Sequence, residues 1–125
     1  MPSHHTLLSD IMEEMDPGVL TFIKEHISSF TRWDVIRFLH ENPHTEDTAE
    51  NLARFVGRSP EVIVGETREM AEEGILQAET TAGQTVYSLA TDAQLRRRIA
   101  DLVEMAHDRT FRMKLVYHIL RAGGQ

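Results

Sequence analysis

The side chains of this sequence with the clearest chemical potential are its arginines, whose guanidinium groups bind phosphates and guanine edges through paired hydrogen bonds. Three of them are consecutive, at Arg96, Arg97 and Arg98. Residues 1–90 carry six basic and sixteen acidic side chains, a net charge of −10, whereas residues 91–125 carry seven basic and four acidic ones, a net charge of +3. This asymmetry favours either contacts between subunits or a solvated, arginine-rich helix near the C-terminus.

The other reactive groups offer little for catalysis. The chain has no cysteine, which excludes disulfides, thiolate metal ligands and thiol nucleophiles. It contains no Gly-x-Ser-x-Gly elbow and no phosphate-binding glycine loop, and its neighbouring carboxylates match ordinary solvated helix faces. We therefore expect a protein that is not an enzyme and that uses no cofactor.

The composition is that of one domain spanning residues 1–125, because 41% of the residues are hydrophobic and 26% are charged. No apolar run approaches the ~18 residues of a membrane span. The first five residues lack the basic flank and apolar stretch of a secretory signal, so we expect a cytoplasmic protein without a membrane partner. The net charge of −7 argues against nonspecific adhesion to nucleic acids.

Apolar periodicity and capping residues predict helices along the first half of the chain. An amphipathic helix is expected over residues 6–15, and Asp16 is expected to cap a second one. A third helix over residues 32–41 has Thr31 as its predicted N-cap. A short fourth helix follows Asp47, which has a glutamate three residues later, the spacing of a capping box.

The fifth helix has the most clearly marked start. Ser59, Pro60 and Glu61 combine an N-cap residue, a proline at the first helical position and an acid in the first turn. Glycines bound this region: Gly57 is expected to end the fourth helix and Gly74 the fifth, both in the left-handed conformation that glycine adopts without strain.

The remaining residues predict a hairpin and a final helix. Residues 75–80 and 84–89 are expected to form two strands joined by a turn at Ala82 and Gly83. After the second strand, apolar residues recur every three or four positions. This spacing predicts one long helix capped by Thr91 and running to about residue 122.

This order of helix, short helix, turn, helix and hairpin resembles the winged helix-turn-helix superfamily, in particular bacterial repressors of the multiple-antibiotic-resistance and arsenic-repressor type. The residues that carry the resemblance are residues 48–57, Ser59, Pro60, Ile63, Thr67, Met70, residues 74–76 and residues 83–89. It implies a mainly α fold with one β-hairpin, a winged helix-turn-helix core over residues 31–90 with extra N- and C-terminal helices. Residues 1–30 and 91–125 would then build a homodimer.

The resemblance implies a transcriptional regulator that binds double-stranded DNA, with the fifth helix in the major groove. The candidate DNA contacts are Arg54, Arg58, Ser59, Glu61, Val62, Val64, Gly65, Arg68 and Gln84, with Arg96, Arg97 and Arg98 as candidates for the DNA backbone. On the outward face of that helix only Arg68 suits a guanine edge or a phosphate, whereas Glu66 and Glu69 would face phosphates with the wrong charge.

The charge of the reading surface leaves two functions open. Residues 45–90 carry three basic and nine acidic side chains, a net charge of −6. The first function is a dimeric DNA-binding repressor. The second is a protein-interaction module in which Val62, Val64 and Gly65 dock a partner protein, because an exposed apolar patch with a polar border is typical of such sites.

The arsenic-repressor resemblance also implies a metal site on the last helix, formed by two histidines separated by ten residues, and His107 and His118 have that spacing. On one helix they would share a face but stand about 16 Å apart, so one ion would need both subunits. Met105 and Arg121 stand where companion ligands would be needed. We therefore predict no bound metal, since a zinc site needs at least three protein ligands.

Overall fold

The computed structural model describes the backbone of residues 4–124 and the side chains of residues 7–124. Within these residues seven helices and one antiparallel hairpin follow one another, which confirms the expected mainly α fold. The elements are α1 (His4–Met12), α2 (Pro17–His26), α3 (Phe30–Glu41), α4 (Ala49–Val56), α5 (Pro60–Glu72), β1 (Leu76–Thr81), β2 (Gln84–Leu89), α6 (Ala93–Met105) and α7 (Arg109–Arg121).

The elements α3 to β2 form the helix-turn-helix and its wing. Helix α4 ends at Gly57, which has a φ of 71°, and α5 is followed by Gly74 at a φ of 82°, as the sequence predicts. The apolar sides of α4 and α5 face each other and α3, so that Leu52, Ile63 and Met70 are fully buried. Because these side chains are buried, the other sides of α5 remain exposed. We call α5, the second helix of the motif, the recognition helix.

The wing is a tight hairpin attached to the start of α4. Ala82 and Gly83 both have positive φ angles, 54° and 78°, the conformation of a two-residue type I′ turn. Asp47 and Tyr87 exchange two backbone hydrogen bonds of 3.1 and 2.7 Å, which tie β2 to the residue before the α4 N-cap. The base of the wing is anchored in the core by the buried pair Leu76 and Leu89.

Two of the helix caps predicted for the first half of the chain are wrong by one or two residues. The N-cap of α3 is Ser29, whose hydroxyl accepts a 3.0 Å hydrogen bond from the backbone N–H of Arg32, while Thr31 is buried inside the helix. The N-cap of α4 is Thr48, not Asp47. In both places two residues with capping side chains lie within two positions of each other, and the path of the backbone decides which one is used.

The predicted single C-terminal helix is also wrong, because the chain breaks into α6 and α7. Asp92 rather than Thr91 caps α6, and Asp108 caps α7 by accepting a 2.9 Å hydrogen bond from the backbone N–H of Phe111. Arg112 donates to two backbone carbonyl oxygens at the end of α6. These hydrogen bonds satisfy backbone groups at the turn between α6 and α7. The apolar periodicity continues across the break because each of the two helices buries one of its sides.

One hydrophobic core cluster joins α2, the winged helix-turn-helix elements and both C-terminal helices. Ile23, Ile36, Ile99 and Ile119 are among its fully buried side chains. Helices α1 and α2 pack against α7 at the side of the molecule away from the wing. None of the described helices is long and apolar enough to cross a membrane.

Candidate nucleic-acid interface

An open cleft of about 740 Å³ lies between the first turn of α4, the recognition helix and the wing. Thr48 and Asn51 contribute polar groups from α4, Val64 and Arg68 face it from α5, and Gln84 lies at its wing edge. The three elements that would contact DNA in a winged helix-turn-helix therefore meet around one concave surface.

The recognition helix has two chemically different sides flanking its buried one. Successive residues of an α-helix are rotated by about 100°, so Val64 and Arg68 lie together on one side, which we call the cleft side. Glu66, Glu69 and Glu73 lie within about 60° of one another on the opposite side, the arginine side, which faces α3. Three of the nine acidic residues over residues 45–90 are therefore turned away from the cleft.

The arginine side of α5 converges on one buried guanidinium, that of Arg32, whose side chain is only 4% exposed. Nε donates to Oε2 of Glu66 at 2.6 Å, Nη1 and Nη2 each donate to Glu73 at 2.8 Å, and Nη2 donates to Glu69 at 3.0 Å. Nη1 also donates to the backbone carbonyl oxygen of His26 at 3.2 Å. We call these five residues the Arg32 cluster.

The charges of the Arg32 cluster stabilise one another. Burial lowers the pKa of Arg32, but its hydrogen bonds to Glu73 and Glu66 outweigh this effect and raise that pKa above its usual range. The hydrogen bond from Arg32, opposed in part by burial, lowers the pKa of the Glu73 carboxyl. Nδ1 of His26 lies 2.8 Å from Glu73 and must carry a proton there, because an ionised carboxylate only accepts hydrogen bonds. Arg32 and Glu73 are therefore both ionised at neutral pH.

Sequence reasoning did not anticipate the partners of Arg32, and it placed Glu66 and Glu69 on the outward face of the helix, whereas in the structure both accept hydrogen bonds from Arg32. The partners of Arg32 on α5 lie 34 to 41 residues further along the chain, so no local pattern joins them. The spacing of the acids by three and four residues along one side of a helix was the available signal, since such a row indicates a shared partner.

Three candidate cations have no protein partner among the described residues, namely Arg54, Arg68 and Arg97. All three are exposed. Arg68 lies in the cleft itself. A guanidinium that is exposed and unpaired binds a phosphate without first breaking an ion pair, so these three are the interface's available cations.

The other three candidate arginines are engaged within the protein. Arg58 makes two hydrogen bonds, of 2.8 and 2.9 Å, to one carboxylate oxygen of Asp34. Arg96 donates to the backbone carbonyl oxygens that follow β2, including that of Ala90 at 2.8 Å. These bonds hold α3, α4 and the wing in place, so both side chains serve the fold.

Arg98 pairs with Asp16, the residue that caps α2, at 3.3 Å. This contact lies at the junction of α2 and α6. The guanidinium also lies against Gly18, where an added Cβ would meet it at 2.5 Å. The three consecutive arginines thus have three different surroundings in the structure. Arg97 is the one without a protein partner among the described residues.

Val62 and Val64 do not form the continuous apolar face that the sequence suggested. Both are exposed, by 46% and 40%, but residues two apart on a helix are rotated by about 200° and point to nearly opposite sides. Gly65 lies between them, and a Cβ built there meets nothing within 4 Å. The outward surface at Gly65 is therefore open for close approach of a large ligand, with one isolated valine on each side.

The remaining candidates near the cleft are polar or acidic. Ser59 is the N-cap of α5, but its hydroxyl makes no capping hydrogen bond and stays exposed, as does Glu61 in the first turn. At the wing, the hydroxyls of Thr80 and Thr85 are hydrogen-bonded at 2.8 Å beside the exposed Gln84. These groups offer hydrogen bonds to phosphates or bases but add no positive charge.

The two histidines considered for metal binding do not share a helix. His107 is exposed in the link between α6 and α7, and His118 is buried in α7. Nε2 of His118 donates to the backbone carbonyl oxygen of Met12 at 2.9 Å, which joins α7 to the end of α1. The described residues contain no group of three or more histidines, aspartates or glutamates placed to hold a metal ion.

The sequence matches no protein-family model and no curated protein. Several solved structures resemble the chain, including the following two. The AntR antimony-specific transcriptional repressor is 19% identical, with 76% of this chain and 91% of that chain covered at a TM-score of 0.55. A homodimeric winged helix-turn-helix DNA-binding domain from Mycobacterium bovis, a possible ArsR-family transcriptional regulator, is 15% identical, with 86% and 90% covered at a TM-score of 0.55. The chain therefore has the winged helix-turn-helix fold found in transcriptional regulators.

Proposed function

We propose that this chain is a homodimeric transcriptional regulator that binds double-stranded DNA with the cleft side of its recognition helix and its wing. The observation that carries this proposal is the free guanidinium in the cleft. Arg68 lies unpaired there, whereas the three acids of the arginine side are bound to Arg32. DNA in the cleft would meet this guanidinium, polar groups and one carboxylate, that of Glu50.

The local charge supports this use of the cleft despite the acidic sequence. Of the described residues that line it, the charged ones are Glu50 and Arg68. These two charges cancel, so the lining is neutral rather than acidic. The net charge of −6 over residues 45–90 thus does not describe the surface that would face DNA.

The ends of the chain support the homodimer. Helices α1 and α7 pack against each other and expose large apolar side chains, namely Leu7, Leu8, Ile11, Met113, Val116 and Leu120. An exposed apolar area formed by two neighbouring helices is typical of a protein interface. A second copy covering it would also double the number of free arginines available to one DNA duplex, which one protomer supplies sparsely.

The experiment that tests this function is selection of duplexes from a random library by the purified protein, followed by fluorescence-anisotropy titration of the selected duplex. We expect a preferred sequence bound in the nanomolar range at low salt, with log Kd rising linearly with log salt concentration. Light scattering is expected to give twice the mass of 14.3 kDa. Absence of any complex at tens of micromolar protein in low salt would refute DNA binding, and a monomer at that concentration would refute the dimer.

A DNA-binding role also carries the expectation that the protein works beside the chromosome, in the cytoplasm.

Docking of a partner protein on Val62, Val64 and Gly65 would require a continuous apolar surface, and their helical positions do not provide one. The DNA-binding function is therefore the one we propose.

A further inference from the structure

We propose that Arg32 is the positioning residue of the recognition helix, and that the Arg32 cluster holds the rotation of α5 in which Arg68 faces DNA while Glu66, Glu69 and Glu73 face α3. This proposal rests on the proposed function. It assigns a role in DNA recognition to a residue that lies outside the cleft and outside the set of exposed DNA-contact candidates.

The hydrogen bonding of Arg32 is complete. A guanidinium has five N–H donors in one plane. Here Nε donates to Glu66, Nη1 to Glu73 and the backbone of His26, and Nη2 to Glu69 and Glu73, which uses all five. A planar group held by five acceptors allows α5 little rotation relative to α3. Lysine, with three donors around one nitrogen, could not make this set of bonds.

The rotation of α5 decides which charge is presented to DNA. Arg68 and Glu69 are consecutive, so a rotation of the helix by about 100° would bring Glu69 to the place that Arg68 occupies. A phosphate that gains a hydrogen-bonded cation in one orientation would meet a carboxylate in the other. The burial of Ile63, Thr67 and Met70 sets this rotation, and the Arg32 cluster reinforces it by holding three of the acids against α3.

The Arg32 cluster is itself anchored to the rest of the molecule. The backbone N–H of Arg32 donates to the hydroxyl of Ser29, the N-cap of α3, at 3.0 Å. Through the carbonyl oxygen and the imidazole of His26, the cluster also reaches the end of α2. The guanidinium therefore links the recognition helix to α2 and α3, two helices that do not line the cleft. The orientation of α5 is thus held by contacts on its arginine side.

A double variant on α5, compared with a control variant, distinguishes the positioning role of Arg32 from a purely electrostatic effect of the acids. Glu66→Gln combined with Glu73→Gln removes two negative charges from the DNA-binding helix, and it replaces one acceptor oxygen of each side chain with an NH2 group that cannot accept from Arg32. Simple electrostatics predicts tighter DNA binding. Positioning predicts that affinity for the selected duplex falls about tenfold, while affinity for random duplex stays equal or rises. The matched control is Glu72→Gln, which removes one charge from an exposed side chain without a partner among the described residues.

Binding of the selected and random duplexes is measured well below the unfolding temperature, with amide NMR spectra as the check of folding. Arg32→Lys is a second variant, expected to show the same loss of specific affinity with an unchanged salt slope. Specific affinity equal to or above wild type in the folded double variant overturns the positioning role while leaving the proposed function intact. A wild-type protein that selects no duplex overturns the proposed function and the positioning role together.

Discussion

The cleft side and the arginine side of the recognition helix differ in how their charged groups are used. On the cleft side, Arg68 is exposed and has no partner among the described residues. On the arginine side, three carboxylates surround one guanidinium that is almost completely buried. The same helix thus keeps a cation free for a ligand and uses the three acids of its arginine side for the fold. A charge count along a sequence cannot distinguish these uses, because they depend on which way each side chain points.

The largest effect is expected on the arginine side. Arg32→Met should lower the free energy of unfolding by about 3–5 kcal/mol, because it leaves Glu66, Glu69 and Glu73 without the buried cation that they surround. The measurement is urea unfolding followed by circular dichroism. Arg37→Met is the control on the same helix, and its exposed, 3.9 Å contact with Asp34 should change stability by less than about 1 kcal/mol.

Equal stability losses in the two variants would contradict the difference between a buried and an exposed arginine on α3.

On the cleft side, the expected effect is on DNA binding alone. Arg68→Gln should weaken binding to a selected duplex by about 1–3 kcal/mol and reduce the slope of log Kd against log salt by about one. The unfolding midpoint should stay within the error of the wild type, since Arg68 has no protein partner among the described residues. Arg109→Gln, which removes a similarly exposed charge at the start of α7, serves as the control. A comparable loss of affinity in that control would indicate a general charge effect.

The two sides of α5 should also differ in their pH dependence. The pKa of Glu73 in the folded protein lies below its ordinary value of 4.5, so the unfolded chain takes up the proton at higher pH than the folded one. The stability that Glu73 contributes is complete above about pH 4.5 and is lost as the pH falls through the folded pKa. Glu73→Gln should therefore weaken the loss of stability in acid, measured by urea unfolding between pH 3 and 6.

Glu72→Gln, the neighbouring change on the exposed surface, should leave the acid dependence close to that of the wild type. If Glu72→Gln altered it as much as Glu73→Gln does, the hydrogen bonds to Arg32 and His26 would not be the cause.

The smallest effect is expected at Arg58, a paired arginine near the interface. Because its guanidinium is bound to Asp34, Arg58→Gln should cost only about 0.2–1 kcal/mol of stability, the range of a partly exposed ion pair. Its DNA affinity should stay within about twofold of the wild type, in contrast to Arg68→Gln. Anisotropy titrations of the two variants side by side make this comparison, and an equal loss in both would show that Arg58 leaves Asp34 to bind DNA.

The features predicted well from the sequence are those set by neighbouring residues. Gly57 and Gly74 adopt the left-handed conformation, and Ala82 and Gly83 form the hairpin turn, because each outcome depends on the local backbone. The break between α6 and α7 was not predicted, since apolar residues keep a helical period across it. In the sequence, Asp108, which caps α7, cannot be distinguished from the other acids of the segment.

The candidate site was predicted in part. Arg68, Val64 and Gln84 do line the cleft, because their positions follow from the register of one helix and one hairpin. The engagement of Arg58 could not be read from the sequence, since its partner Asp34 lies 24 residues earlier. The same holds for Arg32, whose role depends on the packing of α3 against α5.

The most direct test of DNA binding through the cleft side is an amide NMR titration of the protein with a selected duplex. The largest shifts are expected at Val64, Arg68 and Gln84, with the amides around Glu69 and Glu73 much less affected. Shifts concentrated on the arginine side of α5, or spread over α1 and α7 with none in the cleft, would contradict this account.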